Sequence, residues 1–191
     1  MSRFAALSAA IAMTAAACAG TAREALPVLP GGGDFAMVDH NGQPFTLTSQ
    51  RGKIVLIFFG YTFCPDACPT TLSKLASVYR RLGKDASLVK TLYISVDPER
   101  DTPAVLKADL ENFKIDALGL TGSKAQIDAV VSQYGAMYEI VPTPESAAKY
   151  TVSHTTTLYG LDSDGRLRIR WRYDASADEI VDGIRSILKS S

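Results

Sequence analysis

Histidine is scarce in this chain, and the scarcity narrows its chemistry. Only two occur in 191 residues, so an imidazole-dependent site has His40 or His154 to draw on. Cysteine is limited to three, Cys18, Cys64 and Cys68. Neither sign of charge is in excess, with Lys+Arg and Asp+Glu both at 20. That removes any general electrostatic argument for a nucleic-acid or acidic-membrane partner. No internal repeat and no second domain is visible. The longest apolar run, Phe4 to Ala17, is too short for a comfortable membrane span.

That run follows Arg3 and ends in Ala15-Ala16-Ala17-Cys18, the layout of a secretory signal over residues 1–17. Small residues before a cysteine are also the pattern of a bacterial lipoprotein cleavage site, where Cys18 would become the lipid-bearing first residue. Ala15 stands where leucine is commonest, and cleavage without lipid is the alternative. Both readings place the chain outside the cytoplasm, on the periplasmic side of a bacterial membrane, with Cys18 as the lipid anchor in the first. Export matters for cysteine arithmetic. If Cys18 carries lipid, Cys64 and Cys68 are left as a self-contained pair, one that tends toward a disulfide unless a reductant or metal holds it.

Residues 18–33, rich in Pro, Gly and Ala, read as a flexible tether, and 34–191 as one domain. With 47% hydrophobic and 21% charged residues, the balance is that of a globular protein. Phe35 to Val38 and Phe45 to Leu47 flank Asn41-Gly42, a hairpin signal. Ile54 to Phe59 is a continuous apolar run suited to a buried central strand. Leu72, Leu75, Val78, Tyr79 and Leu82 recur at helical spacing. Leu92 to Val96 reads as a strand, and Thr102-Pro103 starts a helix reaching Phe113. Ser123 with Gln126, and Ser176 with Glu179, are capping-box patterns opening two further helices. Met137 to Val141 is a short strand and Thr143 to Lys149 an exposed insert. Thr156 to Leu161 and Leu167 to Tyr173 are strands joined by the turn Asp162-Ser163-Asp164-Gly165. The alternating arginines from Arg166 to Arg172 read as a strand with one wet face. Strands alternating with helices, then a hairpin and a last helix, predict an α/β three-layer sandwich with a mixed central sheet and an N-terminal hairpin.

Cys64 and Cys68 stand at the junction of the buried strand and the following helix. Four-residue spacing would put both side chains on one helical face. A helix N-terminus favours thiolate over thiol, and Pro65 and Pro69 stiffen the loop. Two thiolates are soft ligands that favour Cu(I), and an added imidazole gives a set that also holds Cu(II). His154, just before a strand, is the better imidazole, because His40 lies in the Asp39-His40-Asn41-Gly42 turn, where a polar residue needs no special reason. Three candidate ligands fall short of the four usual for structural zinc, unless Asp97 joins. Asp97, at the end of the neighbouring strand, has two readings. It sits behind the ligands and orients one of them or its loop, or it is only a turn residue before Pro98.

Three ordered segments carry a family resemblance. They are Phe59-Gly60-Tyr61-Thr62-Phe63-Cys64-Pro65-Asp66-Ala67-Cys68-Pro69, Val96-Asp97-Pro98-Glu99-Arg100-Asp101-Thr102-Pro103 and Tyr150-Thr151-Val152-Ser153-His154-Thr155. In them the chain resembles the SCO/SenC family of copper-binding proteins with a thioredoxin fold. The resemblance places that family's cysteine pair on Cys64 and Cys68, its distant histidine on His154 and its acidic residue on Asp97. It implies a metallochaperone that delivers copper to the dinuclear copper site of cytochrome c oxidase, or reduces that site's cysteines. The chain departs from the family at Ser153, where an acidic residue often stands, and at Thr155, where Ser does.

Two rival chemistries use the same cysteines. One is a thiol–disulfide oxidoreductase without copper transfer, which the spacing separates from the Cys-x-x-Cys pattern of thioredoxins. The other is a peroxiredoxin-like peroxidase. It is disfavoured because Ile57 and Tyr61, before Cys64, replace the Pro and Thr or Ser of that pattern.

Overall fold

The computed structural model describes residues 26–190. The expected signal over 1–17 and the lipidation candidate Cys18 lie outside the described residues. The strands are β1 (Ala36–Asp39), β2 (Pro44–Thr46), β3 (Ile54–Gly60), β4 (Val89–Ser95), β5 (Ala117–Thr121), β6 (Tyr138–Pro142), β7 (Tyr150–His154), β8 (Leu158–Leu161) and β9 (Leu167–Trp171). The helices are α1 (Ala67–Leu82), α2 (Pro103–Leu110), α3 (Lys124–Gln133) and α4 (Ala177–Leu188).

β3 organises the sheet because every one of its residues is buried. Alternation divides them between two cores. Val55, Ile57 and Phe59 face one layer, and Ile54, Leu56 and Phe58 the other. β3 pairs in parallel with β4 and antiparallel with β8. The sheet order is β2-β1-β5-β4-β3-β8-β9, with β5 parallel to β4 and the edge strands antiparallel. Leu72, Leu75 and Val78 of α1, Leu106 of α2 and Ile180 and Ile184 of α4 cover one face. Ile127, Val130 and Val131 of α3 cover the other with Tyr134. This is the thioredoxin-like three-layer α/β sandwich with a mixed central sheet, and β1 and β2 form its N-terminal hairpin. Both capping boxes form, Ser123 with Gln126 at α3 and Ser176 with Glu179 at α4.

Four features differ from the sequence reading. β5 was not expected, because Ala117-Leu118-Gly119-Leu120-Thr121 is short, holds a glycine and lacks alternation. Tyr150–His154 is itself a strand, and it pairs with β6 as a separate hairpin whose loop is the segment read as an exposed insert. The tether expected over 18–33 is, from Leu26 onward, a strap bonded across the sheet edge. Leu29 N donates to Leu167 O at 2.8 Å, Gly32 N to Gln133 O at 2.8 Å, and the Tyr134 hydroxyl to Gly33 O at 3.3 Å. Gly31, Gly32 and Gly33 all take positive φ, which lets the strap turn there. The strap also explains why the arginine stripe is not uniformly wet. Arg168 is buried, bonded to Leu26 O and paired with the buried Asp162 at 2.8 Å.

Candidate metal centre

The centre lies beyond the C-terminal end of β3, the usual place for a site in an α/β sheet. β3 ends at Gly60, and the chain turns through Tyr61 to Asp66 before α1 begins. Cys64 therefore precedes the helix, and only Cys68 is on it, which corrects the expectation that both share a helical face. The turn is closed by the Cys64 N–H donating to Tyr61 O at 3.2 Å. Pro65 follows Cys64, and the loop brings the half-buried Cys64 back over the buried Cys68.

His154 arrives from the other direction, as the last residue of β7, opposite Tyr138. Its Nε2 stands 3.5 Å from the Cys68 sulfur. Its Nδ1 faces Thr155 O at 3.1 Å. A carbonyl can only accept, so this bond places a hydrogen on Nδ1, and in the neutral ring Nε2 then carries the lone pair on the side of the sulfurs. The ring packs edge-on against Phe58 and Tyr61. One ligand atom from each of Cys64, Cys68 and His154 lies within 4.8 Å of the others, an arrangement able to hold a metal ion. A cleft of about 490 Å³ opens beside His154 between Met137, Glu139 and Ser153. His40 is not part of this group; its Nδ1 accepts from Gly119 N at 3.2 Å, at the β1–β5 edge.

The two thiols are held at opposite ends of the acidity scale. Cys64 is lowered far below an ordinary thiol, first by the hydrogen bond from the Cys68 side chain and then, against the effect of burial, by the His154 ring and the N–H groups of Asp66 and Cys68 at the start of α1. Cys68 is raised because it holds the shared proton and is buried. The pair is thus one half-buried thiolate backed by one buried thiol.

Asp97 touches neither sulfur. Its buried carboxylate accepts from Arg100 Nε and from the Tyr150 hydroxyl at 2.8 Å, so it orients the hairpin that carries His154. Arg100 extends the same link. Its Nη1 donates to Tyr150 O at 3.1 Å, and its guanidinium lies over the rings of Tyr150, Phe63 and Tyr61 at 3.7, 4.9 and 5.6 Å. The Tyr61 hydroxyl pairs with Thr151 Oγ1 at 2.8 Å. Cysteine loop and histidine hairpin are thereby joined through side chains.

Asp101 was not singled out from the sequence. It is fully buried and binds the cysteine loop directly, accepting from Thr62 Oγ1 at 2.6 Å, Thr62 N at 3.0 Å and Ser95 Oγ at 2.7 Å. Burial pushes its acidity downward, raising its pKa, and these donors oppose the effect. The only available signal was the repeat of Asp four residues after Asp97 in a loop beside a strand end.

Comparison with known proteins follows the same residues. Residues 24–189 match the family model described as SCO1/SenC. A "SCO2-like protein" of Rickettsia felis is 35% identical over 154 residues, covering 81% of this chain and 75% of the relative. The solved structure of Bradyrhizobium japonicum ScoI with copper bound is 42% identical, with a TM-score of 0.73, over 81% of this chain and 97% of that one. BsSco is 23% identical with a TM-score of 0.69, over 88% of this chain and 99% of that one, and shares the fold. It is described as a member of the Sco family of cytochrome c oxidase assembly proteins and as containing a disulfide switch.

Two outcomes are expected. Iodoacetamide at pH 6 labels Cys64 well ahead of Cys68, because Cys64 is ionised where an ordinary thiol, with a pKa of about 8.5, is protonated. Equal rates, read by mass spectrometry of the peptides, would refute the acidity split. Asp97→Ala leaves the mostly covered Arg100 side chain without its carboxylate partner and costs about 2–3 kcal/mol. It also speeds amide hydrogen exchange through 150–154 while leaving β3 protected.

Proposed function

The chain belongs to the SCO1/SenC family, and from that premise we propose that it is a copper metallochaperone for cytochrome c oxidase assembly. Cys64, Cys68 and His154 are the residues that would hold the ion. The observation that carries this reading is the convergence of two sulfurs and one imidazole nitrogen within 4.8 Å. Such a set suits Cu(I) through its sulfurs and accommodates Cu(II) through its nitrogen. The copper-bound ScoI relative supports the choice of metal. Copper is here the cargo, and the acceptor is the dinuclear copper site of the oxidase or another copper or thiol partner. The chain's own contribution is to present a half-exposed Cys64, from which a partner's thiolate can take over the ion, while buried Cys68 and His154 keep the remaining ligands in place.

A second reading rests on the acidity split and can operate with the first. The Cys64 thiolate attacks a partner's disulfide, forming a mixed disulfide and releasing one partner thiolate. Cys68 then gives up its proton and attacks Cys64, forming the Cys64–Cys68 bond and freeing the second partner thiol. The partner gains two electrons and the pair loses two. The disulfide switch described for BsSco is in keeping with this chemistry. Export to the periplasmic side with a lipid on Cys18 is part of the same proposal, and the strap leading into the domain at Leu26 is consistent with attachment there.

Copper titration of the reduced protein tests the metal reading. One ion binds per chain, and replacing either Cys64 or Cys68 by Ala removes tight binding. His154→Ala weakens Cu(II) by about tenfold or more and Cu(I) by less. Unchanged binding of both oxidation states in that variant removes His154 from the centre. For the thiol reading, the reduced metal-free protein cleaves one equivalent of an exposed peptide disulfide in a single turnover. Cys68→Ser is expected to stop at the mixed disulfide, visible by mass.

A further inference from the structure

Behind the two sulfurs lies a hydroxyl that the fold leaves without an oxygen or nitrogen partner. Tyr93, in β4, is fully buried with its side chain in the same core as Phe58, Cys68 and Leu72. Its ring centroid is 6.1 Å from that of Phe58. Its hydroxyl projects over Gly60, and the Cys68 sulfur arrives at the same place. A Cβ on Gly60 would stand 2.7 Å from the Tyr93 oxygen and 2.8 Å from the Cys68 sulfur, so glycine alone leaves room for both. The hydroxyl nevertheless meets no oxygen or nitrogen partner among the described residues, only the Cys68 sulfur. A buried O–H without a partner is costly, and phenylalanine would fill nearly the same volume without that cost. The group it faces is the Cys68 sulfur, which accepts weakly as a thiol and strongly as a thiolate.

We propose that Tyr93 is a positioning residue for Cys68, its O–H placed to donate to that sulfur both in the reduced pair and in a metal-bound thiolate. The proposal deepens the reading given above, since it takes Cys68 to be a metal ligand and the second thiol of the exchanging pair. A donor to a bound thiolate draws electron density from the sulfur and favours the lower oxidation state of the ion. The same donor favours the reduced pair over the disulfide, whose sulfurs are poor acceptors.

Tyr93→Phe in the purified protein decides it, by three readings. With Cu(II) bound, the sulfur-to-copper absorption band moves to longer wavelength. The ratio of Cu(II) to Cu(I) affinity rises several-fold, to about tenfold. Without metal, equilibration against glutathione shifts toward the Cys64–Cys68 disulfide by about tenfold, or about 30 mV for this two-electron couple. In that exchange the Cys64–Cys68 bond forms, the S–S bond of glutathione disulfide breaks, and two glutathione thiols carry away the electrons and protons. Unchanged band, affinity ratio and glutathione equilibrium would overturn the proposal, even with a rise in melting temperature. If the unaltered protein shows no copper band, the metal reading fails on its own, and the metal-free equilibrium still decides the role of Tyr93.

Discussion

The candidate centre depends on side chains that tie two separate pieces of the fold together, the Arg100 guanidinium foremost and the Tyr61–Thr151 hydroxyl pair beside it. Its two sulfurs belong to a loop that grows out of the main sheet, and its imidazole belongs to a two-stranded hairpin outside that sheet. Nothing in the backbone ladder joins the two pieces at this point. Arg100 does so by bonding Tyr150 O on the hairpin while lying over Tyr61 and Phe63 of the loop. A lysine could supply the charge but not the flat surface or the fork of donors. Asp97 neutralises that charge in a place where water has little access, and it bonds Tyr150 as well. The acidic loop after β4 thus acts on the centre at one remove, by fixing how the hairpin docks.

The chemistry was more legible in the sequence than the architecture that delivers it. Cys64 and Cys68 could be found because soft ligands near a strand-to-helix junction are rare, and His154 because a chain with two histidines offers little choice. The central strand β3 was equally plain, since burial on both faces demands an unbroken apolar run. What could not be read was most of what is decided by pairing across distance. β6 is mostly exposed, so its composition does not separate an isolated strand from one half of a hairpin. The roles of Asp101 and Tyr93 come from which atoms they meet, across 39 residues for Asp101 and Thr62, and no local pattern encodes such a meeting. The bonded strap over 26–33 was hidden in the same way, because glycine and proline describe a loose segment and a tightly bonded turn in the same letters.

Asymmetry between the two cysteines follows from where α1 starts. Had both stood on the helix, their surroundings would be similar. Because the helix begins between them, Cys64 receives N–H groups from its first turn, and Cys68 is driven into the core beside Tyr93. One sulfur faces solvent and the other faces protein. As the proposed ligands, residues placed this way would exchange on one side while the remaining members stay fixed, which suits transfer better than permanent storage.

The strap has a geometric corollary. It crosses the sheet where β8 turns into β9, beside the first residues of β3, whereas the thiols sit past the last. Seven strand residues separate those levels, about 20 Å at the usual rise. The strap and the thiols therefore stand at opposite ends of β3, which under the proposed attachment makes the strap a handle and the cysteine loop the far tip. Held by the handle, the protein points its sulfurs outward, and the whole depth of the sandwich becomes the reach with which they meet a partner.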